Sequence, residues 1–413
     1  MSLKYYDKNI QALSDQYNKY IYPKPCENIH EEWIKVNRFQ LCDPNYLWHK
    51  IWPEKEYSRK PLRILIAGCG SDQAAIIAKC NPIHEFVGID LSKNSLAHQK
   101  KLIDDSKINN LKLICDDFRK VKFNSKFDYI ISSGVIHHLE NVDSALSYFN
   151  ENLKDDGAVF LMVYGDQQSA GINNIKKVFK SLNFSQNQES IESIRKIIFK
   201  LKEHHPAKIF ASLYSDINND SGVVDTFLHP EENFFNIKSL INILKRNNLI
   251  IKNFADSRIA PLSKYFIDNK NLLEKISSLD LEDRLELAQI INWNDRKINI
   301  ICTKNQNIKS SYLYNKIDLD KIYLFKTVNI EYQFSEKSLK IIDKENASNF
   351  ELKNNNINWE KILNGQKKLS ESTANLKENE KKILYKNIHF LLENYVLDYS
   401  FFKITDYNKY YAK

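Results

Sequence analysis

Gly68 ends the apolar run 63–68 and Gly70 follows two positions later, although the chain has only nine glycines among its 413 residues. A residue without a Cβ atom lets the backbone turn sharply from strand to helix and approach a ligand closely. The loop alone fits an ordinary tight turn equally well. Asp90, however, follows Gly70 by twenty positions, where a carboxylate can accept hydrogen bonds from both hydroxyls of a ribose. Loop and acid together predict a nucleotide-like ligand.

The loop lacks the marks of the two commonest phosphate-binding motifs. A dinucleotide fingerprint would have a third glycine at the position of Gln73, and the sequence contains no G-x-x-x-x-G-K-[ST] motif. The ligand is therefore predicted to be neither a dinucleotide nor a nucleoside triphosphate held by such a loop.

Short apolar runs alternate with amphipathic stretches between residues 60 and 165, which is the pattern of a parallel sheet covered by helices. The predicted strands are 63–68, 85–90, 111–117, 127–134 and 157–165, followed later by 249–256 and 297–304. The helix after the second strand has Ser92 as its predicted N-cap. We therefore expect an α/β fold with a seven-stranded sheet and helices on both faces.

Three regions flank or interrupt the predicted central domain, which spans 59–304. An aromatic-rich helical segment, 1–58, precedes it as an N-terminal cap. A helical insertion, 166–235, follows the fifth strand, and insertions of this length usually cover a site. A Lys-, Asn- and Glu-rich tail, 305–413, is predicted to be a small α+β domain that is winged-helix-like. Within the tail we predict a strand pair at 328–334 and 338–343 and helices at 357–369 and 378–400.

Five motifs in order resemble the motif series of class I S-adenosylmethionine-dependent methyltransferases. They are "ILIAGCGSDQ", "VGIDLS", "LICDDF", "FDYIISSGVIHHLEN" and "LKDDGAVFLMVYG". The resemblance covers 60–165, extends weakly to about 304 and does not include the tail. Ile66 stands where the family often has an acidic residue, and Asp72 stands where a third glycine is common. The resemblance implies a Rossmann-like fold and S-adenosylmethionine as cofactor, and it leaves the methyl acceptor open.

The same resemblance implies that eleven residues contact the cofactor. They are Gly68, Cys69, Gly70 and Gln73 in the first loop, Asp90 and Leu91 after the second strand, Asp116, Asp117 and Phe118 after the third, and Gly134 and Val135 after the fourth. Asp90 would hold the ribose hydroxyls. Either Asp117 or Asp116 would meet the adenine amino group, and Gly134 and Val135 would border the sulfonium.

Methyl transfer from a sulfonium is an in-line displacement, so the protein mainly aligns the reacting atoms and excludes water. A general base is needed only where the nucleophile carries a proton at neutral pH. His137 and His138 follow the fourth motif and could take that proton, or could instead cap or pack the next helix. His229 and Asp225 could reach over the pocket from a later loop. By analogy with related enzymes, the tyrosines expected to cover the substrate are Tyr164, Tyr20 and Tyr22.

Composition favours an ordinary globular protein without a metal centre. Sixty Lys and Arg residues stand against 52 Asp and Glu, a net charge of +8, but the basic residues are spread along the chain rather than clustered. The six cysteines form no C-x-x-C pair, which argues against a metal or disulfide framework and favours a reducing compartment. No apolar run approaches the roughly 18–20 residues of a membrane span. We expect a cytoplasmic protein, and the sequence does not fix its oligomeric state.

The predicted function is methyl transfer to a small-molecule, lipid or sugar-intermediate, or peptide-like acceptor. Nucleic acid is less favoured, because "SSGVIHHL" replaces the Asn/Asp-Pro-Pro-Tyr/Phe signature of many amino-group methylases of adenine. Two alternatives remain open at this stage. One is an RNA or protein methyltransferase that uses the tail as a reader, and the other is a non-catalytic module that binds the cofactor or a partner.

Overall fold

The computed structural model describes residues 9–30, 39–58, 60–256, 269–292, 296–304, 316–327, 330–335, 338–343, 348–353 and 358–404. Its centre is a seven-stranded sheet with the strand order 3-2-1-4-5-7-6. The strands are β1 (Arg63–Ala67), β2 (Glu85–Asp90), β3 (Leu111–Cys115), β4 (Phe127–Ser133), β5 (Leu153–Tyr164), β6 (Leu249–Phe254) and β7 (Lys297–Lys304). Strands β1 to β5 are parallel, and β7 lies antiparallel between β5 and β6. The predicted seven-stranded, Rossmann-like sheet is confirmed.

Helices cover both faces of the sheet because its central strands are apolar on both sides. Residues 64–67 of β1 have no exposed surface, as expected for a parallel strand with helices on each face. The helices of this domain are α3 (Gln73–Cys80), α4 (Lys93–Asp105), α5 (Val142–Asn152), α10 (Ile237–Arg246), α11 (Lys270–Ser278) and α12 (Leu281–Asn292). Ser92 caps α4 as predicted, since its hydroxyl accepts the backbone N–H of Ser95 at 3.1 Å.

Segments outside the sheet reach the edge where the parallel strands end. The N-terminal segment contributes α1 (Ile10–Lys19) and the short α2 (Trp48–Ile51). The predicted insertion folds into α6 (Asp166–Ser181), α7 (Gln188–Lys200), α8 (Pro206–Leu213) and α9 (Asp220–Phe227), with a small apolar core of its own. Because α6 begins directly after β5, the insertion starts at the carboxyl end of that strand. None of the helices in the described ranges is long and apolar enough to cross a lipid bilayer.

The tail combines short helices with two small antiparallel sheets. One sheet pairs β8 (Tyr323–Lys326) with β12 (Leu397–Ser400), and the other joins β9 (Glu331–Phe334), β10 (Ser338–Asp343) and β11 (Ser348–Lys353). The predicted strand pair is thus present as β9 and β10, although Val328 and Asn329 lie outside the described residues. The winged-helix-like arrangement and the domain limits at 58/59 and 304/305 stay predictions.

Both helices predicted in the tail were too long. The one at 357–369 is two short helices, α13 (Trp359–Ile362) and α14 (Leu369–Ser372), with Gly365 in the left-handed region (φ +68°) between them. The one at 378–400 ends early as α15 (Glu378–Glu393). Tyr395 adopts φ +53° after its last turn, and the chain then forms β12. A left-handed residue is a common way to end a helix, but this residue is usually glycine, and no glycine follows α15.

Candidate active site

A cavity of about 460 Å³ opens at the carboxyl ends of β1, β2 and β4, where ligands of open parallel sheets bind. All eleven residues predicted to contact the cofactor line it. Of the predicted catalytic residues, His138 and Tyr164 line the same cavity, whereas His137 and His229 do not. Tyr22 and Asp225 complete the wall at the Tyr164 end, and Tyr20 lies outside it. The structure therefore brings most of the predicted residues together, and their individual roles stay predictions.

Asp90 is placed to bind two hydroxyl groups. Its Oδ2 accepts the backbone N–H of Gly70 at 2.8 Å, and its Oδ1 accepts that of Ser92 at 2.9 Å. A carboxylate oxygen can accept more than one hydrogen bond, so each oxygen retains capacity for a ribose hydroxyl. Burial raises the pKa of Asp90, while the hydrogen bonds from Ser92 and Gly70 oppose that rise. This geometry fits the predicted ribose contact.

A side chain that the sequence did not single out holds the glycine loop in place. The Gln99 amide, on the buried face of α4, donates to the backbone carbonyls of Cys69 at 2.9 Å and Gly70 at 2.8 Å. Its carbonyl oxygen accepts the backbone N–H of Ala75 at 2.9 Å. Gln99 thus ties the loop to the start of α3. A glutamine in the middle of an amphipathic helix gives no sequence signal for this role.

The two glycines are required for different reasons. Both have left-handed backbones, with φ +73° at Gly68 and +61° at Gly70. A Cβ atom on Gly68 would lie 2.3 Å from Cγ2 of Val135, so protein packing excludes it. A Cβ atom on Gly70 would meet no protein atom within 4 Å and would extend into open space beside the cavity. Only Gly70 therefore leaves room that a bound cofactor could use.

This difference predicts different effects for two matched substitutions. Gly68→Ala is expected to lower the free energy of unfolding by about 1–3 kcal/mol through overpacking against Val135, in addition to the cost of about 1–2 kcal/mol of a left-handed non-glycine residue. Gly70→Ala is expected to lose only about 1–2 kcal/mol of stability, the cost of a left-handed non-glycine residue, but to bind the cofactor more weakly. Urea unfolding and calorimetric titration with S-adenosylmethionine measure both. Partial rescue of Gly68→Ala by Val135→Ala would support the packing explanation, and a stable Gly68→Ala single variant would contradict it.

At the adenine end, the two adjacent aspartates differ in their partners. Arg119 binds Asp117 through two contacts, Nε to Oδ1 at 3.0 Å and Nη2 to Oδ2 at 2.8 Å. Asp116 is exposed, and its Oδ1 accepts the backbone N–H of Asp117 at 2.7 Å. Both line the cavity next to Phe118. The bidentate pair at Asp117 favours Asp116 as the acceptor for an adenine amino group.

The rings of the three predicted histidines follow one another in a stack, and only the middle ring, that of His138, lines the cavity. His138 and His229 have ring centroids 3.8 Å apart, and His137 lies 4.1 Å from His138. Nδ1–H of His138 donates to the Glu231 carbonyl at 3.3 Å, which leaves its Nε2 unprotonated. Burial lowers the pKa of all three, to about 4 for His138. The stack is therefore neutral at physiological pH, and only His138 reaches the cavity.

A carboxylate buried next to this stack has a pKa raised close to neutral pH. Asp225, on α9, accepts the hydroxyl of Tyr17 at 3.0 Å, and that hydroxyl also lies 3.3 Å from Nε2 of His229. Burial, together with the charge of Glu232, raises the pKa of Asp225 to about 7. Tyr17 comes from α1, so the N-terminal segment completes this corner of the site. The sequence indicated Asp225 but not Tyr17.

Tyr164 lines the same end of the cavity and packs on a buried cation. The guanidinium carbon of Arg296 lies 3.7 Å from the centroid of the Tyr164 ring. The His137 ring contacts Tyr164 as well, at 4.1 Å between centroids. Tyr22 donates its hydroxyl to Asp216 at 3.0 Å. Tyr17, Tyr22, Tyr164 and Asp225 all line the cavity, and we call this polar and aromatic part of it the acceptor end.

Fold and cavity together define a Rossmann-like methyltransferase domain with room for its cofactor. The observations that fit S-adenosylmethionine are the two oxygens of Asp90, the open space beside Gly70 and the apolar and acidic surfaces of Leu91, Phe118 and Asp116. These side chains and the strand order of the sheet are together compatible with S-adenosylmethionine in the cavity.

Comparison with known proteins identifies the same class. Residues 65–159 match the family model of a methyltransferase domain. The chain is 24% identical over 303 residues to an uncharacterized protein from Synechococcus sp., covering 69% of this chain and 70% of the relative. An uncharacterized protein from Rickettsia prowazekii is 33% identical over 103 residues, covering 24% of this chain and 41% of the relative.

Solved structures agree on the fold. PKMT2 from Rickettsia typhi superposes with a TM-score of 0.62 at 19% identity, covering 88% of this chain and 76% of that chain. The same protein in complex with AdoHcy gives a TM-score of 0.61 at 20% identity, with the same coverage. The solved structures thus share the fold of this chain, and the match over residues 65–159 identifies a methyltransferase domain, as the motif series predicted.

Proposed function

We propose that the protein transfers a methyl group to a nitrogen or oxygen that carries a proton, on a small-molecule or peptide-like acceptor, and that Asp225 takes that proton. The observation that carries the proposal is the position of Asp225. Its carboxylate lines the cavity that also holds the predicted cofactor contacts, and burial raises its pKa to about 7. A general base works best when its pKa lies near the operating pH.

S-adenosylmethionine, when bound, supplies a methyl group on a positively charged sulfur. The side chains at the acceptor end then hold the nucleophile and remove its proton. Tyr17 donates to one oxygen of Asp225 and so fixes the orientation of the carboxylate. The half-buried ring of Tyr17 and the buried ring of Tyr164 help to exclude water from this end.

Contacts from the N-terminal segment and the insertion support a small or extended acceptor. Tyr17 and Tyr22 belong to the N-terminal segment, and Asp225 belongs to the insertion. Both segments therefore cover the cavity. A folded partner would have to present a side chain or terminus beneath these elements. We propose that the tail, whose β12 packs against α2, supports this cover from behind; Lys50 pairs with the buried Asp398 at 2.9 Å there.

The experiment that tests the acceptor class uses labelled methyl transfer. Wild-type protein is incubated with methyl-labelled S-adenosylmethionine and separate small-molecule, peptide, protein and RNA fractions of a cell extract, with Asp225→Asn as the paired control. Label is expected in the small-molecule or peptide fraction and should be absent with the variant. Label confined to RNA or intact protein would favour the reader alternative. Cofactor binding without any transfer would favour the non-catalytic module.

A further inference from the structure

Three polar side chains that the proposed reaction does not use meet between two cavities. Besides the cofactor cavity, a second cavity of about 450 Å³ lies against α6 and the loop after α9, and Glu232 lines it. His138 lines the cofactor cavity, and His137 is completely buried next to it. One nitrogen of His137, one of His138 and one carboxylate oxygen of Glu232 lie within 4.8 Å of one another.

Two members of this group lack the hydrogen bonds that buried polar atoms normally make. Within the part of the chain that the structure describes, neither ring nitrogen of His137 has a hydrogen-bond partner. Oε1 of Glu232, which is also buried, has none either. Buried polar atoms without partners are uncommon in native proteins, and an ion or ordered water is a frequent explanation. The convergence of His137 and Glu232 on one point therefore indicates a bound species.

The donor set is the kind that first-row transition metals prefer. Two neutral imidazoles and one carboxylate are typical ligands of Zn²⁺, Mn²⁺ and Fe²⁺. Nδ1–H of His138 donates to the Glu231 carbonyl at 3.3 Å, which is the outer hydrogen bond that usually orients a metal-binding histidine. The sequence did not indicate this set, because two adjacent histidines and a glutamate almost a hundred residues later form no ligand-spacing motif.

A neighbouring cluster satisfies the same distance limit, but two of its three members already use ligand atoms in hydrogen bonds. His138, Asp225 and His229 also place ligand atoms within 4.8 Å of one another. Nδ1 of His229, however, accepts the backbone N–H of Glu231 at 3.2 Å, so its Nε2 carries the hydrogen and faces the Tyr17 hydroxyl. Oδ1 of Asp225 accepts that hydroxyl. The unpartnered atoms thus single out the cluster with His137.

We propose that His137, His138 and Glu232 form a binding site for one divalent transition-metal ion, reached from the second cavity. Two cationic side chains next to Glu232 weaken the binding of a metal ion at this site. Lys176 binds Oε2 of Glu232 at 2.6 Å, and Nη1 of Arg296 lies 3.9 Å from Oε1. Because the metal must share Glu232 with them, the two imidazoles supply most of the binding. The ion would join the turn at Ile136–His138 to the loop of Glu232, which Asn233 already links through the His137 carbonyl at 2.7 Å.

The test measures metal binding directly and does not depend on activity. Full-length protein is stripped with a chelator, dialysed and titrated with Co²⁺, whose visible absorption reports N/O coordination, and metal content is then determined by elemental analysis. We expect one Co²⁺ per chain. Binding to His137→Gln should be weaker by more than the about 10–100-fold that loss of an outer hydrogen bond to a ligand costs, and Glu232→Gln should lose less, because Lys176 and Arg296 already share that carboxylate. His204→Gln is the matched control, since His204 is exposed after α7.

Folding of each variant is checked by circular dichroism and by calorimetric binding of S-adenosylmethionine. Loss of Co²⁺ binding in a His137→Gln protein that still binds the cofactor would support the site. If the wild type takes up no more metal than His137→Gln, the proposal is wrong and water fills the gap. Binding that disappears in His204→Gln instead would equally overturn it.

Discussion

Asp225→Asn is expected to lower kcat by about 10²–10⁴-fold, the range usually contributed by a positioned general base. Asparagine keeps the size of the side chain and can still accept the Tyr17 hydroxyl, but it cannot take a proton. The predicted cofactor contacts lie at the other end of the cavity, so affinity for S-adenosylmethionine should change little. Steady-state kinetics with the acceptor identified by label transfer, beside calorimetric titration, separate the two quantities.

The pH dependence gives this prediction a second readout. Burial and the charges of Glu232 and Asp216 raise the pKa of Asp225 to about 7, while Arg296 and the Tyr17 hydrogen bond oppose the rise. The ionised form is the base, so kcat/KM of the wild type should fall as pH drops below about 7. In Asp225→Asn, kcat/KM should no longer fall in this pH range. The measurement is made in chelator, so that no metal alters the charge near the site.

Stability and a matched variant exclude a general loss of structure. Because the folded pKa of Asp225 lies above its ordinary value of 3.8, protonation stabilises the fold at low pH, and this stabilisation is lost as pH rises through about 7. Asp225→Asn should therefore unfold at the same or a higher temperature than wild type at pH 8. Asp220→Asn, on the exposed side of α9 where Asp220 pairs with Arg195, should keep full activity. If kcat/KM of Asp225→Asn still fell below about pH 7 as in the wild type, Asp225 would not be the general base.

The residues predicted to contact the cofactor line one cavity because the sequence signals for them are local. Each strand is an apolar run, and the residues that follow it project from the same edge of the sheet. Gly68, Gly70 and Asp90 are therefore brought together by strand pairing alone, since β1 and β2 are neighbours. The reason for Gly68 was not predictable, because its clash partner, Val135, comes from the loop after β4.

The acceptor end could be predicted only in part because its contacts join distant segments. Tyr17 and Asp225 are 208 positions apart, and nothing in either local pattern indicates the pairing. The adjacent pair His137 and His138 shows the same limit. Both lie in one 3-10 turn, yet His138 lines the cavity while His137 is enclosed. Which of two neighbouring side chains faces a ligand depends on packing that a sequence does not display.

The tail shows how long-range pairing overrides local periodicity. Ile388, Leu391 and Leu392 follow a helical pattern, and α15 does bury them. This pattern does not indicate where the helix ends. Residues 397–400 nevertheless leave the helix and pair with β8, more than seventy positions earlier in the chain. Tyr395 adopts a left-handed conformation so that the chain can turn back. The partner strand, rather than the helix itself, determines where α15 ends.

Asp90→Ala is expected to weaken S-adenosylmethionine binding about 100-fold or more, because hydrogen bonds to a charged group contribute about 1.5–3 kcal/mol each. The substitution removes both predicted ribose contacts and also the acceptors of Gly70 and Ser92 N–H. A loss of affinity could therefore come from the ribose contacts or from a loosened loop. Calorimetric titration alone does not separate these causes.

A ligand lacking the ribose hydroxyls separates them. If Asp90 binds the hydroxyls directly, the 2′,3′-dideoxy analogue of S-adenosylhomocysteine should bind wild type much more weakly than S-adenosylhomocysteine does, and Asp90→Ala should bind both about equally. If Asp90 only holds the loop, the variant should lose the same factor for both ligands. Asp116→Ala, at the exposed adenine contact, is the control whose smaller loss should be independent of the hydroxyls. If Asp90→Ala loses the same factor of affinity for both ligands, Asp90 acts only through the loop. The loop that shapes the ribose site would then be held by Asp90 together with Gln99, which donates to its backbone carbonyls.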